Sequence, residues 1–369
     1  MEMELKNHFE NIRLIIRQGR AKALQAAYTE QLKVYWNIGA YVHQKLDASN
    51  WGVKVVDTLA SWLKENEPGL KGFDRRELYR MQDFYLTWHN LDWSALKETG
   101  TAIVATLSPQ LQSINNQRFQ IVGSLTPQLG EIPVILGKLS WTHHVEILKG
   151  ASVLEEKVFY LLLAIREAYS VRDLRRQIKT SLYERQKMSS QRIVASQHPA
   201  AEKIPTIFRD KYIFEFLDLP QQHNESDFQK ALIGRLKQFI LELGKDFIFM
   251  GEEYHLQVGK RDFYIDLLFF HREMQCLVGF ELKVQEFEPE HLGKLNFYLE
   301  ALDRDVKKPH ENPSIGVLLC KSKENEVVEY ALSRNISPAL VADYETKMID
   351  KGLLQRMLHE WADSISRHK

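Results

Sequence analysis

Asp262-Phe263-Tyr264-Ile265-Asp266-Leu267-Leu268-Phe269-Phe270, followed by Leu277-Val278-Gly279-Phe280-Glu281-Leu282-Lys283-Val284, decides how this chain is read. Both segments are short, apolar and β-prone, and His271 to Cys276 between them has the length of a hairpin loop. Side chains alternate faces along a strand. In the second strand Glu281 and Lys283 therefore share a face, with Phe280, Leu282 and Val284 opposite. In the first, Asp266 shares a face with Tyr264 and Leu268, and Ile265 and Leu267 point the other way. If the strands pair with these faces aligned, Asp266, Glu281 and Lys283 converge on one patch. Two carboxylates suit a hard cation such as Mg²⁺, which takes few protein oxygens and keeps several waters. The Lys283 ammonium can hold or deprotonate an attacking water, or stabilise charge on phosphate. That is equipment for metal-assisted phosphodiester hydrolysis. A plainer arrangement fits the same residues, with the charges marking the solvent face of an edge strand. Buried charges are rare unless paired or metal-bound, but three residues alone do not choose between the two.

The bulk numbers narrow the class. At 369 residues the chain exceeds what one core usually serves, so two domains are expected. Hydrophobic content of 44% and charged content of 27% are those of an ordinary globular protein. The net charge is zero but unevenly spread: residues 1–190 carry 25 Lys and Arg against 20 Asp and Glu, and residues 191–369 carry 24 against 29. A mildly basic first half and a mildly acidic second half fit a binding module joined to a metal-site module. The two cysteines, Cys276 and Cys320, have no C-x-x-C spacing, which argues against a disulfide framework or a Cys-based zinc site and fits a reducing cytosol. No apolar run reaches the roughly 20 residues of a membrane span. Met1-Glu2-Met3-Glu4 lacks the basic start and apolar core of a signal peptide. A cytoplasmic location without a membrane partner is the expectation.

Taken in order, the first half reads as helices. Leu5 to about Ala27 and Glu30 to about Leu46 carry apolar stripes, with Gly39 allowing close packing. A third helix covers about Gly52–Glu65. Asp74 is the expected N-cap of a fourth, with Glu77 completing a capping box. There Leu78, Met81, Phe84, Tyr85 and Trp88 fall at core spacing, and Arg75, Arg76 and Arg80 lie near another face that fits either phosphate gripping or plain solvation. Residues 90–135 are weakly periodic and punctuated by Gly and Pro, as in a long insertion. Ser140 is the expected cap of Trp141–Lys149. His143 and His144 are adjacent rather than one turn apart, which fits core or capping roles better than a metal site. After the apolar helix Leu154–Tyr169, Ser170 introduces Val171–Lys187. On it Arg172, Arg175, Arg176 and Lys179 form one basic stripe, the best nucleic-acid footprint in the chain, or else an ordinary solvated face.

The expected domains are therefore 1–187 (helical, binding nucleic acid or a partner), a connector over 188–211, and 212–369. In the last, Ser226 reads as the cap of a helix Asp227–Leu243 that Gly244 ends. Strands are expected at Phe247–Met250 and Tyr254–Val258, then the hairpin, a helix from Pro289 to about Leu302, a central strand Ser314–Cys320, a helix Glu324–Leu332 and a strand Ala339–Asp343. A terminal helix covers Met348–Ser364. Gln285 projects to the face of Glu281 and Lys283, and Lys294 and Tyr298, one helical turn apart, lie within reach of the site as candidate substrate contacts.

Phe263 to Phe269, Glu281-Leu282-Lys283-Val284, Gly293 to Leu299 and Gly316 to Lys321 together resemble the YhcG-type nucleases of the PD-(D/E)xK superfamily. Tyr35 to Gly39, Trp51-Gly52, Gly69 to Phe73, Arg75-Arg76 and Trp141 to His144 resemble the helical region that precedes the nuclease domain in that family. The resemblance implies an α+β two-domain chain: an all-α N-terminal domain, then an α/β restriction-endonuclease-like domain with an αβββαβ core. It implies a bacterial, Mg²⁺- or Mn²⁺-dependent (endo)deoxyribonuclease, with Asp266 and Glu281 as metal ligands and Lys283 positioning or activating the nucleophile. DNA, rather than RNA, rests on the resemblance alone. The family pattern also implies an acidic residue in the first turn of the helix preceding the strands. The aligned position is Gln229, and Asp227 cannot share its face. That departure keeps a second class open, a non-catalytic nucleic-acid-binding or protein-interaction module that retains the fold. A homodimer or a larger assembly is compatible with either.

Overall fold

The computed structural model describes residues 2–47, 53–91, 93, 132–188, 199, 203–220, 223–333, 335 and 338–358. Trp51-Gly52, nearly all of the 90–135 insertion, most of the connector and the end of the terminal helix lie outside the described residues. The chain divides into two units, Met1–Ile178 and Lys179–Lys369.

The first unit is helical. Helix α1 runs unbroken over Glu2–Asp47, where the sequence suggested two helices. No proline intervenes near the expected gap, and within the continuous helix the Thr29 hydroxyl donates to the Gln25 carbonyl one turn back. Helix α2 spans Val53–Asn66 and α3 spans Arg75–Trp88. Asp74 caps α3 through the Glu77 amide, while the Glu77 carboxylate is turned to Arg80 and the Trp141 indole instead of closing the capping box. At Gly39 a methyl group would collide with the Met81 carbonyl, so glycine sets how closely α1 lies on α3. Helices α4 (Trp141–Gly150), α5 (Leu154–Arg166) and α6 (Val171–Lys179) follow. Ser170 and Asp173 cap α6 reciprocally. The single helix expected over Val171–Lys187 ends at Lys179, and Ser181 takes a left-handed conformation before α7 (Leu182–Lys187).

In the second unit, α7 is anchored by Arg185. Its buried guanidinium donates to the Thr180 and Lys211 carbonyls and to Glu242, which also binds Arg209. After the short α8 (Ile204–Ile207), strand β1 (Lys211–Ile213) begins a six-stranded sheet of order β1-β6-β5-β4-β3-β2. The connector expected over 188–211 ends inside this strand; with only three residues, β1 is too short for a periodicity to show. The helix expected over Asp227–Leu243 is two, α9 (Glu225–Gly234) and α10 (Leu236–Leu243), broken at Arg235. Its cap is Asn224, not Ser226: the Asn224 side chain accepts the Asp227 amide at 2.8 Å. Gly244 ends α10 at a φ of 136°.

Strands β2 (Phe247–Val258) and β3 (Arg261–His271) form a long antiparallel hairpin, with a register shift in β2 between Phe249 and Gly251. β3 pairs antiparallel with β4 (Cys276–Leu282) only from Leu267 to His271. Helix α11 (His291–Ala301) leads through a π-helical turn to β5 (Asn312–Cys320), parallel to β4. Helix α12 (Asn325–Leu332), β6 (Ala339–Glu345) and α13 (351–358) complete the unit. The expected αβββαβ order is present as α9/α10, β2, β3, β4, α11 and β5.

Two helical layers bury the sheet. Phe228, Leu232, Phe239 and Leu243 pack with Leu267, Phe269, Phe280 and Leu282 on one face. On the other, Tyr298 and Leu299 pack with Ile265, Leu268 and Leu277, while Leu292 and Leu295 pack with Leu318 and Val341. Gly316 leaves room for Leu295 directly above β5. Strict alternation fails at one place: Ile265 joins the core of Leu268, not that of Leu267. Before Leu267 the β2–β3 ribbon continues without β4, and two-stranded ribbons twist more strongly than sheets, which turns Ile265 and Phe263 toward α11.

Candidate metal centre

The site forms where β3 leaves β4. Asp266 is one residue beyond the last paired position, so its carboxylate is free to take the Leu282 amide at 2.7 Å, an amide that β3 no longer pairs. Glu281, at the end of β4, is fully buried. Its Oε1 receives the Lys294 ammonium at 2.6 Å and the Lys283 ammonium at 3.2 Å. Its Oε2 is buried and has no hydrogen-bond partner. Lys283 follows the last strand residue and is held by the Leu282 carbonyl at 3.1 Å and by Glu225 at 3.0 Å. The convergence of Asp266, Glu281 and Lys283 expected from strand alternation is present in the fold.

Electrostatics follow from this crowding. Burial, reinforced by the Glu281 charge, pushes the Asp266 carboxyl up to about 6, against the opposing Leu282 amide, Lys294 and Lys283. Burial disfavours the charged Lys283, but Glu225 and Glu281 outweigh it, and its pKa is raised. The same balance, with Glu281 as the dominant partner, raises Lys294. Both lysines are therefore ammonium groups throughout the neutral range.

Glu225 was missed in the sequence. With Ser226 as the cap it falls outside the helix; with Asn224 as the cap it stands in the first turn of α9. Its i, i+4 spacing to Gln229 was the available signal. Gln229 lies on the same helix and donates to the Asp266 carbonyl at 2.8 Å, so it fixes the β3 backbone at the site. Of the other candidates, Lys294 reaches Glu281, with its ammonium 5.4 Å from the Tyr298 ring centre. Tyr298 itself is buried among Leu268, Leu299 and Leu302. Gln285 is exposed, and its carbonyl accepts the Lys321 amide.

Among the described residues no group of three or more His, Cys, Asp and Glu side chains is poised around a common metal position. Two carboxylates remain, and they fit a cation that keeps most of its waters: Glu281 offers a buried bare oxygen, and Asp266 a second oxygen beside the one on Leu282.

The basic residues of the helical region are less uniform than their spacing. On α6, Arg172 is exposed and Arg176 half-buried, while Arg175 makes a two-pronged pair with Glu146, both contacts at 2.9 Å. Lys179 is exposed at the end of that helix. Arg75 pairs with Asp57 at 2.8 Å and Arg80 with Glu77, and both line an open groove with Arg76, Tyr79 and Lys149. His144 is buried against the Leu136 carbonyl and His143 bonds Ser140 and the Tyr169 carbonyl, the structural roles their adjacency suggested.

Residues 205–359 match the family model described as the YhcG PDDEXK nuclease domain, and residues 11–185 match the DUF1016 N-terminal domain. Over 286 residues the chain is 33% identical to a protein of Escherichia coli (strain K12) named "Putative nuclease YhcG", covering 76% of this chain and 73% of that protein. Among solved structures, the crystal structure of a repair endonuclease from Pyrococcus abyssi matches 34% of this chain and 48% of its own, at 12% identity and a TM-score of 0.23. No helix among the described residues is long and apolar enough to cross a membrane.

Proposed function

The chain belongs to the YhcG-type nuclease family, with a DUF1016 N-terminal domain and a PDDEXK nuclease domain, and on that premise we propose that it hydrolyses phosphodiester bonds in DNA at Asp266, Glu281 and Lys283 with Mg²⁺ or Mn²⁺. The observation that carries this reading is the bare, buried Oε2 of Glu281 beside Asp266, since a buried carboxylate oxygen without a donor is costly unless a cation takes it. A divalent cation there supplies Lewis-acid polarisation of the phosphoryl group and lowers the pKa of a water.

The chain's own residues do the rest. Asp266 and Glu281 would hold the cation from two adjacent strands. Lys283 stays protonated, so of the roles open to it from sequence, donation to the nucleophile or to a phosphoryl oxygen is the one its surroundings support. Glu225 holds that ammonium in place from α9. Gln229 fixes the backbone under Asp266. The first domain would hold the nucleic acid, with the exposed Arg172 and Lys179 offered to phosphates.

The test is Mg²⁺-dependent cleavage of linear, circular and branched DNA by the purified full chain beside Lys283→Ala. Losing one charge-stabilising donor typically lowers the rate about 10²- to 10³-fold. We expect that loss with DNA binding and circular dichroism unchanged. Equal activity in both proteins would assign cleavage to another site or to a contaminant. A folded, DNA-binding wild type without cleavage on any substrate would support the non-catalytic module.

A further inference from the structure

Two ammonium groups crowd one oxygen of Glu281 while the other oxygen is bare. They are not equally committed. Lys283 is largely buried and held by Glu225, Glu281 and the Leu282 carbonyl. Lys294 is 48% exposed and reaches Glu281 from the surface of α11 on a flexible stem. We propose that Lys294 is the internal counter-ion of the metal centre: in the metal-free protein its ammonium occupies Glu281, and a divalent cation must displace it. This rests on the metal-dependent reading above and deepens it.

Glu281 is fully buried, and a buried carboxylate stripped of its partner is strongly destabilising. Without a cation, Lys294 at 2.6 Å supplies the closest compensation. A cation held between Glu281 and Asp266 would place a double positive charge next to that ammonium, and like charges a few Å apart repel strongly in a half-buried site. One cation has to move. Lys283 cannot do so without breaking its bond to Glu225, whereas the half-exposed Lys294 can withdraw toward solvent on its flexible stem. The centre is therefore stable when empty, and its affinity for divalent cations is held below what its two carboxylates alone would give.

The test uses the full chain, freed of metal with EDTA and dialysed, titrated calorimetrically with MnCl₂, and melted with and without Mn²⁺. Lys294→Met removes the charge but keeps the stem. It should bind Mn²⁺ roughly tenfold or more tightly than wild type, given the size of a unit charge at this separation. It should also unfold at a lower temperature without metal and gain more from saturating Mn²⁺. Lys294→Gln, a neutral variant that can still donate to Glu281, should also bind Mn²⁺ more tightly, and Lys294→Arg should stay near wild type. Should the methionine variant fail to fold, the glutamine variant decides. Wild-type binding with equal or weaker binding in the neutral variants overturns this inference and leaves the nuclease reading standing. No Mn²⁺ binding by wild type or variants overturns both.

Discussion

Asp266→Asn should make the metal-free protein more stable at pH 8. Folding moves the Asp266 carboxyl from its ordinary value near 3.8 up to about 6, through burial and the neighbouring Glu281 charge. A shift of that size corresponds to about 3 kcal/mol of strain in the ionised state. The sign follows from proton binding. Between pH 4 and 6 the folded state holds a proton that the unfolded state has released, so stability falls as pH rises through this window and the penalty is full above it. Asn removes the charge and keeps an oxygen for the Leu282 amide, at the cost of placing an amide nitrogen where a carboxylate oxygen stood. The net gain expected at pH 8 in EDTA is about 1–3 kcal/mol, or roughly 2–4 °C in melting temperature per kcal/mol for a unit of this size. At pH 5 the wild-type penalty is about half-developed, so the advantage of Asn should shrink by about half. Saturating Mn²⁺ should reverse the order by stabilising the wild type alone. Thermal melts of both proteins at pH 5 and 8, with and without metal, measure all of this. If Asn is no more stable than Asp at pH 8, or keeps an undiminished advantage at pH 5, the electrostatic account of the site is wrong.

Two further outcomes concern the first domain. Replacing the exposed Arg172 and Lys179 with Ala should weaken binding of unrelated DNA sequences alike and flatten the log–log salt dependence by up to roughly 0.9 per lost phosphate contact; Arg175, paired with Glu146, should add little, and an unchanged slope would make the stripe an ordinary solvated face. His144 is buried with its pKa lowered to about 4, mainly by desolvation. Its unfolded ring takes up a proton as pH falls from 6.5 toward 4 while the folded ring does not, so up to about 3 kcal/mol of stability should be lost across that window. His144→Phe should flatten that part of the profile, even if the loss of the Leu136 contact lowers stability overall; a profile as steep as wild type would clear His144 of the effect.

Asp266, Glu281 and Lys283 could be found from sequence because alternation in two short strands is enough to align them. Helix period places Lys294 one turn from Tyr298 and within reach of Glu281, but it does not reveal that Tyr298 is buried among Leu268, Leu299 and Leu302. What could not be read depended on contacts distant in sequence or on small backbone choices. Asn224 and Ser226 are both good caps, and only packing of Phe228 and Leu232 into the sheet selects the first, which is what brings Glu225 into the site. Ile265 changes face because β4 stops pairing with β3 after Leu267, and strand length is not encoded in polarity alternation. The Arg172–Lys179 stripe is real as spacing, but Glu146, on another helix, engages Arg175, and no local pattern announces that partner.

The central claim is that Asp266 and Glu281 hold one divalent cation. Crystals of the full chain soaked in MnCl₂, with data collected at the manganese edge, test it directly. The account predicts one anomalous peak about 2.2 Å from carboxylate oxygens of both residues, with Lys294 moved off Glu281. An ordered site elsewhere, or no peak between these carboxylates at saturating Mn²⁺, would contradict it.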